Sequence, residues 1–265
     1  MPLNIVVCVK QVVDPETPAS AFQIDAEGRR VLPAAGIPPV VNGFDENAVE
    51  AALRIKDAGE AHITVVSVGN NFVMDVMKKP LSMGADQLVL VQDEAVEELD
   101  AFATAYVLSE AIKKLGEFDL ILCGRQASDW DNAQVPLGVA EMMDLPCVTV
   151  AQKVEVVDSG LVVQRALTDG YEVVETLLPA LVTVTTELGE PRYPTLRGIM
   201  TASRKAPTVW TAAELGLDPA SLAPKLELTE LFIPVVDKQC EFIEGEDEAD
   251  AGRKLALRLR EAKLI

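Results

Sequence analysis

The chain predicts an α/β fold built on a mostly parallel, doubly wound sheet. Short all-apolar runs end at a glycine or polar turn, helix-spaced segments lie between them, and the connections are brief. Strands that alternate with helices in this way form a parallel sheet with helices on both faces.

Leu3–Val9 is the first strand, closed by the turn at Lys10, Gln11 and Asp14-Pro15. Residues 15–41 are rich in Pro and Gly, with one extended piece near Phe22–Ile24, and predict a long loop or small hairpin. Asp45–Asp57 carries Ala48, Ala51, Ala52 and Ile55 at helical spacing, with Asn42 or Asp45 as cap and Glu46 and Glu50 near the positive end. His62–Val68 is a strand ending at Gly69, Phe72–Met83 a helix despite Pro80, and Gln87–Val91 a strand. Asp100–Leu115 is a helix that feeds the strand 119–123, and a further helical pattern opens around Ala133–Leu137.

Beyond Pro146 the pattern becomes a β-meander. Val148–Val157, Gly160–Leu167 and Tyr171–Leu177 are joined by turns at Asp158-Ser159-Gly160 and Asp169-Gly170. Leu181–Thr185 returns to the sheet, and Glu190-Pro191-Arg192-Tyr193-Pro194 takes the chain out of it. A short helix near Thr195–Ala202 precedes a loose linker. The end is an arm with a strand-like piece at Leu231–Val236, an acidic stretch from Glu241 to Asp250 and a helix from about Asp247 to Leu264. Its Leu255/Leu259 stripe predicts docking on another subunit. The expected division is 1–190 for the nucleotide-binding α/β domain with its meander, 191–229 for a recognition loop and linker, and 230–265 for the arm.

Composition excludes several classes. The net charge of −19 opposes nucleic acid and anionic membrane as partners. No apolar run approaches the roughly 20 residues that span a bilayer, and Leu3–Val9 is too short for a signal core, so a cytoplasmic protein is expected. Cys8, Cys123, Cys147 and Cys240 form no CxxC pair, which argues against disulfide and zinc frameworks. The single histidine, His62, opens a strand and reads as structural, so no His-centred catalysis and no metal site are expected.

The candidate site lies where the buried run Leu120–Cys123 stops at Gly124 and a polar loop leads to a helix start. A strand end feeding a helix N-terminus leaves backbone N–H groups unpaired and positively polarised, which suits phosphate. That place is also the carboxyl edge of the sheet, where open α/β folds hold ligands. Asp129 and Asp131 would repel phosphate, which leaves them to accept hydrogen bonds from ribose hydroxyls or loop amides, with phosphate on N–H groups around Asn132–Val135.

Six ordered segments resemble one family: VCVKQVVD (Val7–Asp14), NGFDENAVEAALRIKD (Asn42–Asp57), SMGAD (Ser82–Asp86), CGRQASDWDNAQV (Cys123–Val135), LPALVTV (Leu178–Val184) and EPRYPTLRGIMTASRK (Glu190–Lys205). The chain resembles the β subunits of electron transfer flavoproteins, the EtfB/FixA family. The resemblance implies a Rossmann-like domain related to the adenine nucleotide α-hydrolase folds. It also implies a heterodimer with an α subunit that carries a redox-active FAD, and a buried AMP in this chain. The implied cofactor-binding residues are Cys8, Val9, Lys10, Asn42, Val68 and the loop Gly124, Arg125, Gln126, Asp129, Asp131, Asn132, Ala133, Gln134 and Val135, with Phe44 near the flavin. Leu196 matches a leucine that inserts into a partner such as an acyl-CoA dehydrogenase, with Tyr193, Arg197 and Lys205 beside it and Arg204 adding to the basic patch.

The loop departs from the family's patterns. AMP-binding members read DxDxNQT where this chain reads DWDNAQVP, and Ala133-Gln134-Val135 is closer to electron-bifurcating members, in which a second FAD replaces AMP and NADH donates hydride. Those members follow AQV with Gly-Pro, whereas Pro136, Leu137 and Gly138 stand here; Trp130 either stacks on a ring or blocks a second flavin. Two functions therefore stand open, a carrier subunit without chemistry of its own and a bifurcating subunit. A stand-alone adenine-nucleotide-binding protein or ATP-pyrophosphatase is disfavoured, because VKQVVD lacks the Gly and Ser of an SGGxDS-like loop.

Overall fold

Apolar runs too short for helices and free of polar interruption are stable only when buried on both faces, and the first such run becomes the centre of the sheet. The computed structural model describes residues 2–25, 27, 29–97, 99–234 and 240–265. Strand β1 (Leu3–Cys8) buries Ile5, Val6, Val7 and Cys8. The 15–41 segment holds both a loop and a hairpin: β2 (Gln11–Val12) pairs with the later β5 (Val40–Val41), while β3 (Gln23–Asp25) and β4 (Arg30–Leu32) pair with each other.

Helix α1 (Gly43–Ala58) precedes β6 (Ala61–Gly69). The helix expected over 72–83 is two pieces, α2 (Met74–Met77) and α3 (Lys79–Met83), meeting at Lys78. Pro80 has no N–H and fits only a first turn, so the chain restarts there. Next come β7 (Gln87–Gln92), α4 (Ala101–Leu115), β8 (Leu120–Gly124) and α5 (Val135–Met142). Asp100 caps α4 by accepting the Ala103 N–H at 2.8 Å.

The meander is β9 (Cys147–Val157), β10 (Gly160–Leu167) and β11 (Gly170–Leu177), and the chain returns as β12 (Ala180–Val184). Helix α6 (Leu196–Arg204), β13 (Thr208–Trp210) and α7 (Ala212–Leu215) follow. The nine-stranded sheet has the order β11-β10-β9-β12-β8-β1-β6-β7-β13, parallel from β9 to β13 and antiparallel through the meander. Period-2 alternation splits the core. Ile5, Val7, Ile63, Val65, Leu120 and Leu122 pack with Ala48, Leu53 and Met77, while Val6, Val66, Val89, Ile121 and Cys123 pack with Val107, Ile112 and Val139. Helices α1–α3 therefore cover one face and α4 and α5 the other, the doubly wound Rossmann-like architecture.

Residues 230–265 form a second compact unit. Residues 231–234 of the strand-like piece are irregular, and 235 and 236 lie outside the described residues. Helix α8 (Glu248–Glu261) is capped by Asp247 and is shorter than expected, with Lys263 at φ +56 just beyond it.

Candidate functional site at a crossover of the sheet

From β1 the chain steps to β6 and β7 on one side, then crosses back to β8 on the other side of β1. Such a reversal opens a crevice above the carboxyl ends of the two central strands, the usual ligand position in open α/β sheets. The β1 exit (Cys8, Val9, Lys10), the β8 exit (Gly124, Arg125, Gln126) and the start of α1 meet there.

Two side chains at the start of α1 hold the crevice together. The Asp45 carboxylate, 6% exposed, accepts the Lys10 N–H at 2.7 Å and the Gly124 N–H at 3.1 Å, tying the ends of β1 and β8. Burial pushes its pKa up to about 7, against the lowering effect of these N–H bonds. Gly124 is required here because a Cβ would lie 2.3 Å from Asp45 Oδ1 and 2.7 Å from the Phe44 backbone. Asn42 precedes α1 but its side chain does not cap it. Instead Nδ2 donates to Gln126 O at 2.8 Å and Oδ1 accepts the Ser128 N–H at 3.2 Å, so the buried amide clasps the loop.

Both loop acids have partners, one of them a cation. Lys10 Nζ lies 2.6 Å from Asp129 Oδ2, and Gln126 Nε2 donates to Asp131 Oδ1 at 2.6 Å. The Arg125 N–H extends the ladder to Val184 O at 2.9 Å, while its guanidinium stands 5.2 Å from the Phe44 ring centroid. Ala133 adopts φ +53 and Gln134 returns to φ −100, ψ −36. Left- and right-handed residues in succession turn neighbouring N–H groups into one concavity suited to an anion. The N–H groups of Asn132, Ala133 and Gln134 find no acceptor among the described residues. Helix α5 begins at Val135, slightly later than the sequence pattern suggests, with Pro136 in its first turn.

Other named residues take different places. Cys8 and Val9 are buried, and the Val9 N–H donates to Val66 O at 2.9 Å, so both present main chain rather than side chain. The Cys8 and Cys123 side chains face the core, where a hydrogen bond with Cys8, then burial, push the Cys123 thiol well above its ordinary pKa. Val68 closes β6 on the side of β1 away from β8. Among the described residues no group of His, Cys, Asp and Glu is placed to hold a metal ion, and no helix is long and apolar enough to cross a membrane.

One hydroxyl, that of Ser67, escaped sequence reasoning, while Ser128 lies within the expected loop 124–135. Ser67 Oγ, at the carboxyl end of β6, and Ser128 Oγ, in the loop, are buried without a partner among the described residues. Buried hydroxyls are rarely left unpaired, and these two fit a ligand that carries hydroxyl or ring acceptor groups. A serine in the apolar run of β6 was the available signal.

The recognition segment lies on a different part of the sheet's covering. Tyr193 and Leu196 are 91% and 76% exposed, with Ile199 and Met200 half-exposed beside them. Thr195 Oγ1 caps α6 by accepting the Gly198 N–H at 3.0 Å. Arg197 is exposed, whereas Lys205 turns inward and donates to Asp86 O at 2.7 Å, which makes it an internal tether.

Residues 31–215 match the family described as electron transfer flavoprotein domain. The electron transfer flavoprotein subunit beta of Thermoanaerobacterium thermosaccharolyticum is 40% identical over 84% of each chain. The chain belongs to the β-subunit family of electron transfer flavoproteins. The caffeyl-CoA reductase-Etf complex subunit CarD of Acetobacterium woodii is 34% identical over 99% of this chain and 100% of its own. Protein FixA of Azotobacter vinelandii is 32% identical over 92% and 89%. Electron transfer is thus the family's business.

Proposed function

We propose that this chain is the β subunit of a heterodimeric electron transfer flavoprotein, binding AMP in the β1/β8 crevice and cradling the FAD of an α subunit. One observation carries the reading: unpaired amides of Asn132–Gln134 stand in a concavity of a loop that Asn42 clasps, beside two strand ends that Asp45 ties together. Those amides take the nucleotide phosphate, the main chain at Cys8–Lys10 and Val68 borders the adenine, and Ser67 and Ser128 supply hydroxyls for its polar edge. Asp129, paired with Lys10, and Asp131, held by the Gln126 amide, keep the loop closed, and the Lys10 ammonium offsets the charge of Asp129 near the phosphate.

The α-subunit flavin supplies the redox chemistry, and this chain orients and shields it. Phe44, with Arg125 across its ring, is the flavin-facing group. The separate unit at 230–265, with Phe242, Leu264 and Ile265 exposed, is the surface that meets the α subunit. Tyr193, Leu196 and Arg197 dock a flavin-dependent dehydrogenase of the acyl-CoA dehydrogenase type, and the complex works in the cytoplasm. The similarity to a subunit named for a CoA-ester reductase complex supports a CoA-linked partner.

Ala133-Gln134-Val135 favours a second reading, in which the crevice holds a second FAD that accepts hydride from NADH. Co-expression with the α subunit and acid release of the cofactors separates the two. One FAD and one AMP per heterodimer supports the carrier and two FAD the bifurcating form, whereas a complex with FAD but nothing in the β crevice overturns both.

A further inference from the structure

The exposed docking residues follow a segment stitched to α1 at close intervals. Asn47 Nδ2 donates to Gly189 O at 2.7 Å and Arg54 Nη1 to Leu188 O at 2.9 Å. The buried Glu50 carboxylate accepts the Arg192 backbone N–H at 3.1 Å, Arg192 Nε at 2.8 Å and Arg192 Nη2 at 3.2 Å, together with Arg54 Nε at 2.9 Å. Arg192 Nη2 also reaches Asp57 at 2.7 Å. The next residue is Tyr193, almost wholly exposed, and α6 starts three residues later.

Helix α6 is itself fastened from below. Gly198 approaches Ser82 O so closely that a Cβ there would stand 2.2 Å from it. Lys78 Nζ donates to Ser203 O at 3.1 Å, and Lys205 holds Asp86 O at the far end. Tyr193, Leu196 and Met200 thus project from a base with little freedom to move.

We propose that Glu50 is the positioning residue of the docking segment: through Arg192 it fixes where the chain leaves α1 and so presents Leu196 to a partner in a preset orientation. Ordering an anchor before encounter removes conformational entropy that binding would otherwise have to overcome. A buried carboxylate suits this role because it organises two guanidinium groups and one N–H at once, giving a fixed geometry rather than a flexible surface pair. The inference rests on the docking reading of Leu196 given above.

The test uses the complete complex with its α subunit and an acyl-CoA dehydrogenase as reductant, reading KM for the complex, kcat, cofactor content and melting temperature. Glu50→Gln is expected to raise KM about tenfold with kcat and cofactor content unchanged, as loss of preorganisation predicts. Leu196→Ala is expected to raise KM as well, and the double variant to fall short of the product of the two effects, because Glu50 acts through Leu196. A raised KM in Leu196→Ala with none in Glu50→Gln, or fully multiplicative effects, overturns the inference and leaves the docking reading standing. Absence of any effect in Leu196→Ala overturns the docking reading itself. Should Glu50→Gln fold poorly, Arg192→Gln gives the same measurement while Glu50 keeps Arg54, and an unchanged KM there overturns the proposal equally.

Discussion

Asp45 shows how one carboxylate answers to opposed demands. Two N–H donors favour its anion, yet burial dominates and raises its pKa from 3.8 to about 7. The folded state therefore binds this proton more tightly than the unfolded chain, so the contribution is fully present at acid pH and lost as pH rises from about 4 through 7. Urea unfolding at pH 5, 6, 7 and 8 should show stability declining, by roughly 3 kcal/mol from this group at about 1.4 kcal/mol per pKa unit over the two units between pH 5 and 7, and Asp45→Asn should flatten the decline. Glu50 and Asp86, held below their ordinary pKa by Arg192 and Lys56 despite burial, titrate below that window and leave the test clear. Gly124→Ala forces a methyl against Asp45 Oδ1 and the Phe44 backbone, an overpacking expected to destabilise by about 1–3 kcal/mol. Calorimetry and nucleotide content of that variant check it: a complex of native stability that retains its nucleotide would remove Gly124 from the account.

At the scale of elements, α1 is a spine with two duties. Its start clasps the 125–134 loop through Asn42 and the ends of β1 and β8 through Asp45, and the residues from Asn47 to Arg54 fasten the segment at 188–192. Asn42→Ala leaves Gln126 O and the Ser128 N–H without their partner, an expected loss of about 1–3 kcal/mol for buried polar groups left unmade. Hydrogen exchange should then rise across 125–134 and stay unchanged in the meander, where no contact of Asn42 reaches. Helix α6 obeys a different logic. Leu196 is exposed, so Leu196→Ala should shift chemical-denaturation stability by less than about 0.5 kcal/mol, separating its docking role from any packing role.

At the scale of the molecule, the two compact units predict separable functions. A chain ending at Thr229 is expected to keep a cooperative unfolding transition with native circular dichroism, and to lose binding to the α subunit in a pull-down. The sheet was legible because parallel strands covered on both faces must be mostly apolar, and β1, β6, β7, β8 and β12 each read that way. The meander was legible from Asp158-Ser159-Gly160 and Asp169-Gly170, whose turn chemistry pins its register. The division of residues 72–83 into two helices was not, since apolar spacing persists across Pro80 while the backbone hydrogen bonds do not. In the candidate site, strand end, loop and helix start could all be placed from local pattern. The pairing of Asp45 with amides of two distant strands, the clasp by Asn42, the orphan hydroxyl of Ser67 and the inward turn of Lys205 could not. Each depends on burial and on partners far along the chain, which local spacing does not encode. The amino-acid order alone therefore determined the layers and the family, and the strand end, loop and helix start where the proposed site lies. Only packing decided which polar groups there are shielded from water, and shielding is what converts an ordinary carboxylate or hydroxyl into a group that holds a site in shape.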